Sequence, residues 1–147
     1  MRPSFGPPPP IYRSIVKVLH WTALAFVVAA LFYGNVPVVK WGLLVTAVLW
    51  SVGYGSFGLL CTPGPVLTGI LRKGFVPLHI AMLILLDVTA LMLLNADPGP
   101  LTGALRTVTV LTLGAGLLHG IFHLWRHTAL GDGALRNMTP RFMHNML

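Results

Sequence analysis

Four apolar runs, each about as long as a membrane span, constrain the fold of this chain more than any other feature. They are residues 15–33, 38–60, 75–94 and 105–125. Each is close to the roughly 20 residues that a helix needs to cross the hydrocarbon of a bilayer. Segments rich in Pro, Gly and polar residues separate them, at 34–37, 62–65, 72–74 and 95–100. Because connections this short join antiparallel neighbours, we expect an all-α, four-helix transmembrane bundle.

Charged residues are too few to cover a water-soluble surface. They make up 9% of the chain, against about 25% in a typical soluble domain. Glutamate is absent, and the acidic residues are Asp87, Asp97 and Asp132. We therefore expect the lipid bilayer to be the main partner. The net charge of +7 does not indicate nucleic acid binding, because the basic residues cluster at the ends of the apolar runs and form no single polar face.

The basic residues are divided unevenly between the two ends of the expected bundle. The N-terminal segment, the middle connection and the C-terminal segment hold Arg2, Arg13, Lys17, Arg72, Lys73, Arg126, Arg136 and Arg141. The other two connections hold only Lys40 and Arg106. Because Lys and Arg accumulate in cytoplasmic loops, this distribution predicts that both termini face the cytoplasm. We expect a multi-pass protein of the bacterial inner membrane.

Two tails flank the membrane domain, which we place at 14–127. The first tail, 1–13, contains four consecutive prolines, which exclude a helix there and favour an extended polyproline segment. The second, 128–147, is expected to be a cytoplasmic tail. Cys61 is the only cysteine, which excludes an internal disulfide and the Cys-x-x-Cys-His attachment of covalent haem. We interpret Cys61 as a small buried residue near a helix end.

Histidines gather at one depth of the expected bundle. His20 lies early in the first run and His119 late in the fourth, so at about 1.5 Å per residue both lie roughly 10 Å inside the same membrane face. An ionisable residue inside a membrane is by default a functional candidate. Two imidazoles on facing helices can ligate one iron from both sides, as in a b-type haem. We therefore predict that His20 and His119 hold one non-covalent haem b.

The residues around this pair have more than one interpretation. His123 and Arg126, nearer the surface, are candidates for contact with the haem propionates. His79 is a candidate for a propionate contact, a structural role or direct ligation. Small residues near His119 would admit either a flat macrocycle or a neighbouring helix. They are Gly114, Gly116 and Gly120. A zinc or copper site is the main alternative, although acids and thiols are scarce at this level.

Several segments share a pattern with one family of membrane proteins. They are residues 12–21, which end in His20-Trp21, and residues 77–79, 117–127 and 131–140. Over 11–140 the chain resembles the prokaryotic cytochrome b561 family, whose members are four-helix membrane proteins with haem. The resemblance implies that His20 and His119 ligate an inner haem. The ligands of the outer haem of that family have no counterpart here, since 39–43 and 104–107 contain no histidine. We therefore expect a single haem near the cytoplasmic face.

The resemblance also implies a function. One haem near one face cannot alone bridge about 30 Å of hydrocarbon. We expect a b-type cytochrome that carries electrons and exchanges them with quinone or a partner redox protein, and not a stand-alone catalyst. Other membrane electron-transfer subunits and further copies of the chain are the expected partners. The alternative is a structural or accessory subunit of a larger respiratory or photosynthetic complex.

Asp87 lies near the middle of the third run, where a charged carboxylate is costly unless it is protonated, paired or facing a polar cavity. One interpretation is a proton relay toward a quinone or toward the vacant outer haem site. The other is a protonated acid that forms a hydrogen bond with a hydroxyl or carbonyl on a neighbouring helix. Ser51, Tyr54 and Ser56 are the candidate partners.

Overall fold

Four long helices make up most of the chain. The computed structural model describes residues 9–60, 62–139 and 143. Within them lie α1 (Pro10–Tyr33), α2 (Pro37–Phe57), α3 (Gly69–Asn95), α4 (Gly103–Ala129) and a short 3-10 helix (Ala134–Asn137). All four long helices have the length and apolarity to cross a membrane. The predicted all-α bundle is confirmed, and the chain is a multi-pass membrane protein. Residues 1–8, Cys61 and most of the tail after 139 lie outside the described residues.

The helices run antiparallel to their neighbours in a closed ring. α1 packs on α2 and α4, and α3 packs on the same two helices. At one end the Tyr12 hydroxyl, on α1, donates to the Gly58 carbonyl just after α2, at 2.9 Å. At the other end Asn35, just after α1, donates to carbonyls at the end of α3. We call the end that carries the start of α1 and the end of α4 the terminal end, and the opposite one the far end.

α3 begins well before the apolar run that defines it in the sequence. The sequence predicts a connection at 72–74, but these residues belong to the first turns of α3, which begins at Gly69. Arg and Lys are good helix formers, and the Arg72 guanidinium donates to the Gly64 carbonyl at 3.1 Å and the Leu67 carbonyl at 3.4 Å. These bonds hold the connection against the first turns of the helix, so the prediction of a break at 72–74 is wrong.

The other helix ends differ from the expected ones by a few residues. α1 begins at Pro10, inside the proline run, because Pro at the first helical position gives up no intrahelical hydrogen bond. Residues 10–13 are therefore helical and not part of the tail. α2 ends at Phe57, where Gly58 takes a positive φ of 74° and its N–H donates to the Tyr54 carbonyl at 2.7 Å.

The main core lies in the far half of the bundle. Its buried members come from all four helices and from the connection before α4: Ala23, Val27, Ala30, Val39, Leu43, Ala47, Leu86, Ala90, Leu93, Leu101 and Leu105. Alanines on α1, α2 and α3 allow the helix backbones to approach closely, as is common in membrane bundles. Many large apolar side chains are exposed on the outside, Phe32 and Leu118 among them. These exposed faces suit contact with lipid.

Asn35 links the end of α1 to the end of α3 at the far end of the bundle. The sequence did not predict this role. Its side chain is 1% exposed, and its amide nitrogen lies 3.0, 2.9 and 3.1 Å from the carbonyl oxygens of Leu93, Ala96 and Asp97. The Asn35 backbone N–H also donates to the Gly99 carbonyl at 2.6 Å. The last turn of a helix leaves carbonyls without intrahelical partners. Asn35 supplies donors for them in a place that water does not reach.

We predict that Asn35→Ala destabilises the bundle by about 1–3 kcal/mol, because it leaves buried carbonyls without donors. The measurement is unfolding by sodium dodecyl sulfate in mixed micelles, followed by circular dichroism. Asn95→Ala is the matched control, since the Asn95 amide donates only to the exposed Leu91 carbonyl on its own helix. Equal destabilisation by the two substitutions would contradict the role given to Asn35.

Candidate metal and haem site

A cavity of about 330 Å³ opens in the terminal half of the bundle. Side chains from all four long helices line it, and most of them are apolar. Its size lies within the range of small-molecule and cofactor sites. Three of the six histidines line it: His20 on α1, His79 on α3 and His119 on α4. Three imidazoles therefore face this apolar space, together with tyrosine, tryptophan and threonine side chains.

The glycines near His119 leave space instead of packing a helix. Gly116 and Gly120 line the cavity, and a side chain added at either would meet nothing within 4 Å. A side chain added at Gly114 would also meet nothing within 4 Å, but Gly114 does not line the cavity. The sequence left open whether these glycines admit a flat ligand or a neighbouring helix. Their surroundings favour the ligand.

His20 on α1 and His119 on α4 both line the cavity. Their ring centroids are 6.5 Å apart. Two imidazoles that coordinate one metal ion from opposite sides, with bonds of about 2.0 Å, place their centroids about 6.4 Å apart. The His20 ring contacts the rings of Trp21 and Trp50 in edge-to-face geometry. The centroid of His20 lies 5.9 Å from that of Trp21 and 5.8 Å from that of Trp50. The spacing of the predicted pair is thus compatible with a shared ligand.

His119 has closer neighbours than His20. The His119 ring centroid lies 4.7 Å from that of His79 and 4.4 Å from that of His123. The ligand nitrogens of these three residues all lie within 4.8 Å of one another, close enough to hold a metal ion. We call His79, His119 and His123 the histidine triad. The sequence gave His79 and His123 several interpretations, and the structure brings both against the predicted ligand His119.

Hydrogen bonds fix part of the proton arrangement in the triad. Nδ1 of His79 lies 2.6 Å from the Phe75 carbonyl oxygen, and since a carbonyl only accepts, this nitrogen donates its proton. In the neutral ring, Nε2 of His79 then carries a lone pair, and it lies 3.4 Å from Nε2 of His123. Nδ1 of His119 and Nδ1 of His123 are buried and have no hydrogen-bond partner among the described residues. Buried polar atoms of this kind call for a ligand or water.

Arg126 has a partner within the chain. Its Nε donates to a carboxylate oxygen of Asp132 at 2.6 Å, and both side chains are almost fully buried. The guanidinium also lies over the Phe75 and Phe122 rings, at 5.1 and 5.9 Å from their centroids. Asp132 thus accepts most of the hydrogen bonds of this guanidinium. In the sequence analysis Arg126 was a candidate for contact with a haem propionate. Only Nη1 of Arg126 remains buried without a partner in the described part of the chain.

Sequence reasoning missed this ion pair because the two residues are not at helical spacing. Asp132 lies just beyond α4, between Gly131 and Gly133, which take positive φ values of 64° and 66°. These glycines turn the chain back onto the bundle. The segment Gly131-Asp132-Gly133 was the signal that a turn places a carboxylate near the last turn of α4.

Asp87 lies apart from the cavity. The Ser51 hydroxyl on α2 donates to its carboxylate at 2.7 Å, which confirms one of the three expected partners. The other two have different roles: Ser56 donates to the Val52 carbonyl on its own helix, and Tyr54 lines the cavity. Asp87 is not among the cavity-lining residues. A hydrogen bond between neighbouring helices is therefore the contact that the structure gives it.

The fold and the site together define a four-helix, multi-pass membrane protein with a histidine-lined cavity near one end. Comparison of the chain with models of protein families, with curated proteins and with solved structures gave no significant match. The resemblance to the prokaryotic cytochrome b561 family therefore stays a prediction from the residues.

We predict that Asp132→Asn destabilises the protein by about 3–5 kcal/mol, because it leaves the buried Arg126 guanidinium without a counter-charge. Asn retains the oxygen that accepts from the Ala134 N–H, so the turn itself is preserved. The double variant Arg126→Met/Asp132→Asn should recover most of the loss. Unfolding in mixed micelles measures all three.

The matched control is Asp97→Asn, at an exposed position. It should change the free energy of unfolding by less than about 0.5 kcal/mol. A double variant that is no more stable than Asp132→Asn alone would show that the charge pairing is not what stabilises this corner.

Proposed function

We propose that this chain is a membrane b-type cytochrome that holds one haem b between His20 and His119. The observation that carries the proposal is the 6.5 Å separation of these two rings beside the cavity. The lining supports it as well, since it contains three imidazoles and haem iron accepts two such ligands. The open space beside Gly116 and Gly120 provides room for a flat group against α4.

The rest of the cavity suits an apolar, redox-active ligand. When bound, haem would supply a one-electron couple inside the membrane. The chain's residues would hold it, keep water out and set its environment: Trp21 and Trp50 orient His20, and Phe75 orients His79 through its carbonyl. The remaining nitrogen donors, His79 and His123, lie toward the terminal end. There they are candidates for contact with the propionates.

We place the terminal end of the bundle in the cytoplasm of a bacterium, with the protein in the inner membrane. The support is the excess of Lys and Arg at that end of the chain. Quinone within the bilayer, or a partner redox subunit, would then exchange electrons on the cytoplasmic side. Asp87, bound to Ser51 in mid-membrane, is a candidate proton donor for a quinone. The proposed electron-transfer function agrees with the resemblance of the sequence to the prokaryotic cytochrome b561 family.

We predict that the protein purified from haem-replete cells gives a b-type reduced-minus-oxidised spectrum with about one haem per chain. His20→Ala and His119→Ala should each abolish the signal, because each removes one axial ligand. His127→Ala, at a histidine outside the cavity lining, is the matched control and should keep it. Pyridine haemochrome assays measure the haem content of each variant.

Two outcomes would count against parts of the proposal. A colourless wild-type protein, or full haem content in both His20→Ala and His119→Ala, would exclude this pair as the haem ligands. A wild-type protein that binds haem but is not reduced by quinol would point to the alternative, a haem-bearing accessory subunit of a larger respiratory or photosynthetic complex.

We predict the membrane orientation from the same charge distribution. A green fluorescent protein fused after residue 147 should be fluorescent in the cells, because both termini face the cytoplasm. Alkaline phosphatase fused after Asp97, in the α3–α4 connection, should be active because that connection faces the periplasm. The opposite pattern in the two fusions would reverse the orientation.

A further inference from the structure

We propose that the histidine triad, His79, His119 and His123, is a binding site for one divalent transition-metal ion of the zinc or copper type. The site includes two residues that need not ligate haem, and it excludes His20. Because His119 belongs to both sites, a metal ion on the triad and a haem on His20 and His119 are mutually exclusive. Only this competition rests on the proposed function; the metal site stands on its own geometry.

The spacing within the triad fits a metal better than a hydrogen bond. Nε2 of His79 and Nε2 of His123 are 3.4 Å apart, longer than the usual 2.7–3.2 Å of a hydrogen bond from nitrogen. Two ligands of a tetrahedral zinc ion, with bonds of about 2.0–2.1 Å, have nitrogens about 3.3–3.4 Å apart. The third histidine brings all ligand atoms within 4.8 Å, so small side-chain rotations complete the site.

The ligand chemistry selects the class of ion. All three donors are imidazole nitrogens, which suit zinc, copper, nickel and iron, whereas magnesium and calcium require oxygen ligands. Three histidines form the protein part of known zinc sites that keep a fourth position open. Here the fourth position faces the cavity, because His79 and His119 both line it.

The surroundings already contain part of what such a site needs. Nδ1 of His79 donates to the Phe75 carbonyl, and a second hydrogen bond of this kind fixes the ring of a metal-binding histidine and leaves its other nitrogen free. His123 is 5% exposed, so its unpartnered nitrogen has no access to bulk water. One turn further along α4, Arg126 is a positive charge that would repel a cation, but Asp132 neutralises it. The local charge therefore does not exclude a metal ion.

The test is a titration of the haem-free, full-length protein in detergent with Co²⁺ alone, after purification through a tag that contains no histidine. Cobalt bound by three imidazoles absorbs visible light, so the spectrum reports the coordination. We expect one Co²⁺ per chain with a Kd below about 10 µM. His79→Ala and His123→Ala should weaken binding more than about 100-fold, since losing even a second-shell partner costs 10–100-fold.

His20→Ala is the decisive control, because it removes a haem ligand but no triad member. It should bind Co²⁺ within about 3-fold of the wild type while it binds no haem. His79→Gln and His123→Gln, which preserve side-chain size and some hydrogen bonding, should lose Co²⁺ as the alanine variants do. Thermal melting without metal shows whether each variant is folded. Wild-type protein loaded with haem should take up no Co²⁺.

Three results would overturn the proposal: no visible cobalt absorption with the wild type, unchanged affinity in folded His79 and His123 variants, or loss of Co²⁺ binding in His20→Ala. Failure of the haem proposal would give a different result from failure of the metal proposal. A protein that binds Co²⁺ through the triad but never haem would leave the metal site in place and remove the b-type cytochrome.

Discussion

The exclusion of water from the middle of the bundle is the constraint on which the rest of the structure depends. In hydrocarbon every polar group must find its partner inside the protein, and unpaired imidazoles are costly. Histidines on three helices meet this constraint by gathering around one cavity, where His79 also donates to a backbone carbonyl. A neutral imidazole carries one donor and one acceptor, so such a cluster retains nitrogen lone pairs that other residues do not use. Those lone pairs are the basis of the haem site and the metal site that we propose.

The sequence predicted the spans and the depth of the histidines, because both depend on length along a helix of fixed rise. It therefore predicted that His20 and His119 lie at one level. It also placed His123 beside His119, since the two are four residues apart on one helix face. It did not predict that His79 would contact His119, because α3 is apolar on nearly all sides and its sequence does not show which face turns inward. The ion pair between Arg126 and Asp132 was not predicted for another reason. A turn joins the two residues, and no helical period relates their positions.

The far half of the bundle is closely packed, whereas the cavity lies in the terminal half. Alanines bring the helices together there, and the core is filled by side chains such as Leu43 and Leu93. Lys40, near the start of α2, donates to the carbonyls of Leu94 and Ala96, beside the bonds that Asn35 makes to the same end of α3. Lys40 lies in the segment where the family that the sequence resembles has an outer haem ligand, and here its side chain links the start of α2 to the end of α3. Contacts between side chains and backbone over such long sequence distances leave no pattern in a single sequence. A tightly fastened far end allows the terminal half to retain open space.

Charge separates the two ligand states that we propose for His119. A divalent ion held by three neutral imidazoles brings uncompensated positive charge into the bilayer, since Arg126 and Asp132 already cancel each other. The porphyrin ring is itself doubly negative and cancels the charge of ferrous iron within the cavity. The surrounding hydrocarbon therefore favours haem wherever haem is available. A metal ion on the triad needs an anion at its open fourth position, and hydroxide formed from bound water is the simplest one. The two proposed states thus differ in the charge that they carry into the membrane, and we expect this difference, more than the number of nitrogen ligands, to determine which of them forms.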